Sequence, residues 1–266
     1  MLGTLWASAA DLLWGNRCVG CGEGGPGLCA GCSGPLFGPA ADRVVMTPDG
    51  DGLTVFSAAP YEDAVAAAIP AFKDHGRRDL LRPLAVGLAT AIGEAVATPG
   101  DRNRPPADLP VLWLVPVASS GAARRARGMS PVLLLSRRAA RILRHDAGLD
   151  VRLATGVLGH VRVVSDQAGL GQSERRANVT GALAARPGAM LDAVRAASSR
   201  GDTVLLVDDV VTTGATLAEC RRALAVAGVE VEAAVAVADT PLRGSMGSPR
   251  ANTTIRHDSE QSRNWP

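Results

Sequence analysis

Apolar residues fall in short runs separated by polar, Gly-rich or Pro-rich punctuation. Val204 to Val207 lies between Gly201-Asp202 and the acids Asp208-Asp209. Four aliphatic positions without polar alternation predict a strand buried on both faces, ending at the acids. Val111 to Val115 repeats the pattern and stops at the small-residue turn Pro116-Val117-Ala118-Ser119-Ser120-Gly121. Leu53 to Ala59, Val157 to Val164 and, after a helix stop at Gly228, Val229 to Val237 predict three further strands. Helical spacing appears in Leu2, Leu5, Trp6, Ala9, Leu12 and Leu13, in Tyr61 to Phe72 with a break at Pro70, in Leu80 to Val96, and in Leu217 to Ala227. The alternation predicts an α/β fold with a parallel sheet flanked by helices. Thr98 to Pro110 reads as a surface linker, and the aperiodic stretch beyond Asp239 as a disordered tail. The expected organisation is a small module over 1–40, the α/β domain over 41–240 and the tail over 241–266.

Length and composition narrow this picture a little. The chain's 266 residues, 47% of them hydrophobic, suffice for one α/β domain and a small appendage. No run reaches transmembrane length, and Met1 to Trp14 lacks a basic start and carries Asp11, so a cytoplasmic protein is expected. A net charge of +2 is uninformative, but its distribution is not: of 28 basic residues all are Arg except Lys73. That ammonium, in the polar turn Phe72-Lys73-Asp74-His75-Gly76-Arg77, is either a mobile charge able to reach a pyrophosphate or simply solvated. Arg124, Arg125, Arg127, Arg137, Arg138, Arg141 and Arg144 run without an acid until Asp146. They read either as a solvated helix face or as a polyphosphate or nucleic-acid contact.

Cys18, Cys21, Cys29 and Cys32 form C-x2-C-x7-C-x2-C. Paired C-x-x-C turns bring four thiolates around one soft cation, usually Zn²⁺, and four sulfurs leave no open position, so the zinc is structural. Disulfides are the alternative, disfavoured in the reducing compartment expected for this chain. Cys220 falls on an apolar helix and reads as a core thiol.

The richest chemistry follows the Val204 strand. Thr212-Thr213-Gly214-Ala215-Thr216 is a turn of small, hydroxylated residues entering a helix, where backbone N–H groups and hydroxyls can surround an anion. Asp208 and Asp209 would repel that anion, so they are assigned to a vicinal diol, directly or through Mg²⁺. Diol beside monophosphate describes ribose 5-phosphate. A nucleotide hydrolase would also need a Gly-Lys pair, which the chain lacks. Plain helix capping needs less than two acids followed by T-T-G-x-T.

This stretch resembles the phosphoribosyl-pyrophosphate motif of type I phosphoribosyltransferases. Several features together resemble the ComF family, bacterial competence-protein-F-like homologues of those enzymes: the four cysteines, Lys73, the turn at Val115 to Val117, Arg127-Gly128, the Gln167, Leu170, Glu174-Arg175, Asn178 segment and the VLLVDDVVTTGATL core. The resemblance implies a type I phosphoribosyltransferase fold with an N-terminal zinc finger. It further implies Asp208 and Asp209 at the ribose hydroxyls and Thr212 to Thr216 at the 5-phosphate. The small-residue turn at the end of the Val111 to Val115 strand would hold a second phosphate at Ser119 and Ser120, and Lys73, Arg124 and Arg127 are the charges expected toward pyrophosphate or nucleic acid. Its members act with a helicase partner in bringing single-stranded DNA into the cytoplasm. Two departures stand out: Met129-Ser130-Pro131 replaces the usual aromatic-Asn-Gln, and Ala118 the usual Pro. The alternatives are a nucleobase phosphoribosyltransferase of salvage metabolism and a scaffold whose phosphate site is vestigial.

Overall fold

A computed structural model describes residues 17–25, 27–46, 51–97, 110–118, 130–162 and 180–240. The opening helix, almost all of the Pro-rich linker, Ser119, Ser120, Arg124, Arg127, the segment from Asp166 to Val179 and the tail lie outside them.

Eight strands are described: β1 (Ala41–Met46), β2 (Gly52–Pro60), β3 (Leu112–Pro116), β4 (Val151–Leu153), β5 (Leu158–His160), β6 (Leu183–Ala185), β7 (Thr203–Val211) and β8 (Ala233–Asp239). Six form one sheet in the order β1-β2-β8-β7-β3-β4, parallel except for the antiparallel edge pair β1·β2, while β5 and β6 make a separate ribbon. Among the described residues, five helices of more than two turns pack around the sheet: α1 (Asp63–Lys73), α2 (Leu81–Val96), α3 (Pro131–Asp146), α4 (Ala189–Ser199) and α5 (Ala215–Val226).

Side-chain alternation divides the interior. Leu112, Leu114, Leu205 and Val207 face α1, α2 and α3, whereas Trp113, Val115, Val204 and Leu206 face α4 and α5. Val204 to Val207 are each at most 1% exposed, so the doubly buried central strand expected from the sequence is present. No described helix is long and apolar enough to cross a membrane.

Three boundaries differ from expectation. β7 runs through the acids to Val211, because pairing with β8 continues from Asp208↔Ala236 to Val211↔Asp239. The last strand begins at Ala233, not Val229, since Val229 N–H still closes the preceding helix on Leu224. Pro70 does not break its helix, and Lys73 is therefore the last residue of α1 rather than a loop residue. An interior proline costs about 3 kcal/mol. Ile69 and Phe72 are buried on either side of it, and two such side chains return about 3–6 kcal/mol.

The cysteine segment joins the same core. A helical turn, Ala30–Ser33, leads into the 3-10 turn Gly34–Phe37, and Leu36, fully buried, packs on α2 at Gly87. Cys18 is 2% exposed and belongs to the cluster built by α1 and α2. Gly20 approaches Ala64 of α1 so closely that a Cβ there would stand 2.6 Å from the Ala64 Cβ. Gly27 N–H donates to Asp79 Oδ2 at 2.7 Å, and Arg77 donates to both Asp79 oxygens and to the Arg17 carbonyl. The Arg77 hydrogen bonds hold the Asp79 carboxyl below the usual carboxylate range.

Candidate functional site

The carboxyl ends of parallel strands, where side chains and helix N-termini converge, are the usual ligand crevice of an open α/β sheet. Here that edge carries Asp208 and Asp209 on β7, then Thr212 and Thr213, and Gly214 as the N-cap of α5. Ala215 and Thr216 are the first two residues of the helix. Gly214 has φ +75°, a left-handed conformation, and a Cβ there would lie 2.3 Å from Val45 Cγ1. Only glycine turns this corner without strain.

A helix leaves its first four N–H groups without intrahelical partners. Gly214 offers no side chain to them, and the Thr213 hydroxyl accepts from Ala215 N–H at 3.3 Å. Thr212 is exposed, and Thr213 and Thr216 are half-buried. The loop and helix start thus offer the N–H groups and hydroxyls that an oxyanion needs.

The acids differ in surroundings. Asp209 is buried and pairs with Lys73, Oδ2 to Nζ 2.7 Å, across the gap from α1. Its Oδ1 accepts from Val210 N–H, and Asp208 Oδ1 accepts from Asp209 N–H. Lys73, expected at a pyrophosphate, rests on Asp209. Asp208 keeps part of its surface open, yet desolvation and then the Asp209 charge push its carboxyl up to about 7. A carboxyl raised in the fold is favoured protonated, so its stabilising contribution is complete below about 4 and lost as pH rises through about 7. Urea midpoints should therefore fall between pH 4 and 7, and Asp208→Asn should flatten that slope. An unchanged slope would show Asp208 to be ordinarily acidic.

Beside the end of β3 lies a cavity of about 240 Å³ lined in part by Val117, Ala118, Ser130, His160 and Arg186. His160 Nε2 is 3.0 Å from the Ala118 carbonyl, and the Arg186 side chain covers Gly159. The turn expected to hold a second phosphate starts here, but Ser119 and Ser120 lie outside the described residues. Of the arginine cluster, Arg137, Arg141 and Arg144 share one exposed face of α3, and Arg144 Nε donates to the Val151 carbonyl.

The model of the phosphoribosyl transferase domain family matches residues 112–256, just over half of the chain. The chain belongs to this family. The phosphoribosyl transferase match begins at β3 and contains both acids and the loop, whereas the cysteines, β1, β2 and Lys73 precede it. No curated protein matches the chain.

Ahead of that domain, the sulfurs of Cys18, Cys21, Cys29 and Cys32 lie within 4.8 Å of one another. Cys21 and Cys29 Sγ are 3.7 Å apart, close to the ~3.8 Å edge of a tetrahedron with 2.3 Å metal–sulfur bonds. All four are free thiols. Hydrogen bonds from the backbone at Cys21 and Cys29 pull the Cys18 thiol down to about 6, while neighbouring Cys29 and Cys18 push Cys32 up to about 12. Four thiols this close cannot all ionise without a cation between them, so the donor set fits a metal. Cys220 is a buried core thiol, as expected, its pKa well raised by desolvation.

Sequence reading missed several residues. Glu219 is 2% exposed, accepts from Leu183 N–H and from Arg222 through both oxygens, and so ties α5 to the β5·β6 ribbon. Burial pushes its carboxyl up, but hydrogen bonds from Arg222 and the ribbon backbone outweigh that and leave it lowered. His160 and Arg186 belong to no local motif. Arg43, on a strand the hydrophobic pattern did not reveal, reaches the loop itself.

Proposed function

We propose that the chain binds phosphoribosyl pyrophosphate with Mg²⁺ and presents the ribose C1 to a nucleophile. The observation that carries this reading is the placement of two acids near the carboxyl end of the central strand, with a glycine-turned helix N-terminus at Gly214 a few residues on. The 5-phosphate sits on the loop at Thr212, Thr213, Gly214, Ala215 and Thr216, and the ribose hydroxyls face Asp208 and Asp209. Asp208 and Asp209 would help hold a Mg²⁺ that comes with the diphosphate, and the ion would supply charge neutralisation for the leaving group. Lys73 pairs with Asp209 and would swing to the pyrophosphate when ligand and metal bind. The cavity carrying His160 and Arg186 takes the leaving group or the acceptor. In transfer, an acceptor nitrogen forms the C1–N bond while the C1–O bond to pyrophosphate breaks, the electron pair leaving with pyrophosphate and the nitrogen's proton passing to solvent. The protein's own contribution is positioning, charge complementarity and exclusion of water.

The four cysteines hold a structural Zn²⁺, and the module they form is the zinc finger of a ComF-like protein. The exposed row Arg137, Arg141 and Arg144 favours an accompanying role in DNA uptake, with single-stranded DNA and a competence helicase as partners.

Calorimetric titration with phosphoribosyl pyrophosphate and Mg²⁺ tests the main reading. Wild type should bind, and Asp208→Asn with Asp209→Asn should weaken binding at least about 100-fold, or ~2.7 kcal/mol. Equal affinities would remove the acids from the site. Single-stranded DNA retention across a salt series should fall steeply if the arginine row contacts phosphates, and salt-independent retention would count against it.

A further inference from the structure

β1 forms the outer edge of the sheet, beyond β2 and β8 from the strand that carries the acids. Its Arg43 nevertheless spans that distance. Nη2 donates to the Thr212 carbonyl at 2.7 Å and to the Val211 carbonyl at 3.3 Å, while Nε lies 3.2 Å from Asp239 Oδ2. Both charged side chains are only 16% exposed. Two residues on, Val45 is the side chain that a Cβ at Gly214 would strike. One edge strand, lying before the span matched by the family model, therefore touches the loop at its entrance and at its corner.

In a planar trans peptide the carbonyl and the following N–H point in opposite directions. A guanidinium that fixes the Thr212 carbonyl thus aims the Thr213 N–H away from itself, and Val45 blocks the corner from collapsing toward β1. Both carbonyl bonds come from Nη2, the Nε edge adds an ion pair with Asp239, and Nη1 is buried without a hydrogen-bond partner among the described residues, so the group is held against the loop by one nitrogen and one charge contact.

We propose that Arg43 is a positioning residue that holds the loop at Thr212 to Thr216 in its anion-accepting conformation, with Val45 as its packing partner. This rests on reading that loop as the 5-phosphate site, but the brace is testable without any ligand. Hydrogen exchange of the ligand-free full chain, read on peptides spanning Val211 to Leu217, should quicken at least about tenfold in Arg43→Met, with Val204 to Val207 unchanged. Asp239→Asn, which keeps the carbonyl bonds, should change the loop less. Arg43→Lys should fall between wild type and Arg43→Met, and it carries the test if Arg43→Met fails to fold. Unchanged loop exchange, or a rise spread evenly over the whole sheet, overturns the proposal.

Calorimetry then links the brace to binding. Arg43→Met should weaken ribose 5-phosphate while leaving Mg-pyrophosphate affinity as in wild type, and equal losses for both would contradict it. If wild type binds neither probe, the phosphoribosyl reading fails and exchange alone decides the role of Arg43.

Discussion

Gly214→Ala should cost roughly 2–5 kcal/mol of stability and at least about tenfold in affinity for ribose 5-phosphate. Two independent penalties add. The left-handed backbone at φ +75° disfavours any Cβ, and the added carbon would stand inside the Val45 side chain, 2.3 Å from Cγ1 and 2.6 Å from Cγ2. Val45→Ala in the Gly214→Ala background should relieve the collision but not the torsional strain, and so recover part of the loss. Urea unfolding of the two single variants and the double variant measures this as a coupling energy. A fully stable Gly214→Ala protein, binding as tightly as wild type, would show that the corner is not locked.

Stripping the metal should have the second large effect. Structural zinc in small finger peptides is worth about 10–16 kcal/mol, because an unfolded chain offers no preformed site. In this protein the four thiols are not an isolated module. Cys18 lies in the core with α1, Gly20 touches Ala64 of that helix, and Asp79 anchors the Gly27 backbone. Helix α1 ends on Lys73, which reaches Asp209. Chelation, or Cys18→Ser, should therefore release one Zn²⁺ per chain and lower the melting temperature by more than about 10 °C, on a scale of about 2–4 °C per kcal/mol for a chain of this size. It should also weaken ligand binding through the loosened lysine. Thermal melting with metal analysis on the same samples checks this. Melting unaffected by complete metal loss would make the cluster an appendage without structural weight.

How much of this was legible in the sequence depended on whether a signal was local. The segment from Thr203 to Cys220 was readable because buried strand, paired acids, glycine corner and helix follow one another in one contiguous strand–turn–helix unit. The cysteine cluster was readable for the same reason: ligand spacing is local and its chemistry has few alternatives. The Lys73–Asp209 pair was not. Both residues were singled out, but their contact joins positions far apart in the chain, and no periodicity reports such a contact. Arg43 escaped altogether. β1 alternates in burial, with Arg43 and Val45 turned inward, but its residue types do not follow: a charged side chain faces in while Val44 and Met46 lie on the surface, so no hydrophobic pattern distinguishes Ala41–Met46 from loop. Pro70 misled in the other direction, since propensity predicted a break that the burial of Ile69 and Phe72 overrides. Glu219 carries no local signal, because the N–H it accepts from, that of Leu183, lies 36 residues earlier in the chain.

An amide NMR titration of the labelled chain with ribose 5-phosphate shows whether the bend between β7 and α5 seats its phosphate. Saturable shifts should concentrate at Thr213, Gly214, Ala215 and Thr216, with Gly214 moving most and the exposed α3 arginine face silent. Shifts centred elsewhere, or none at these four amides at saturation, would contradict that seating.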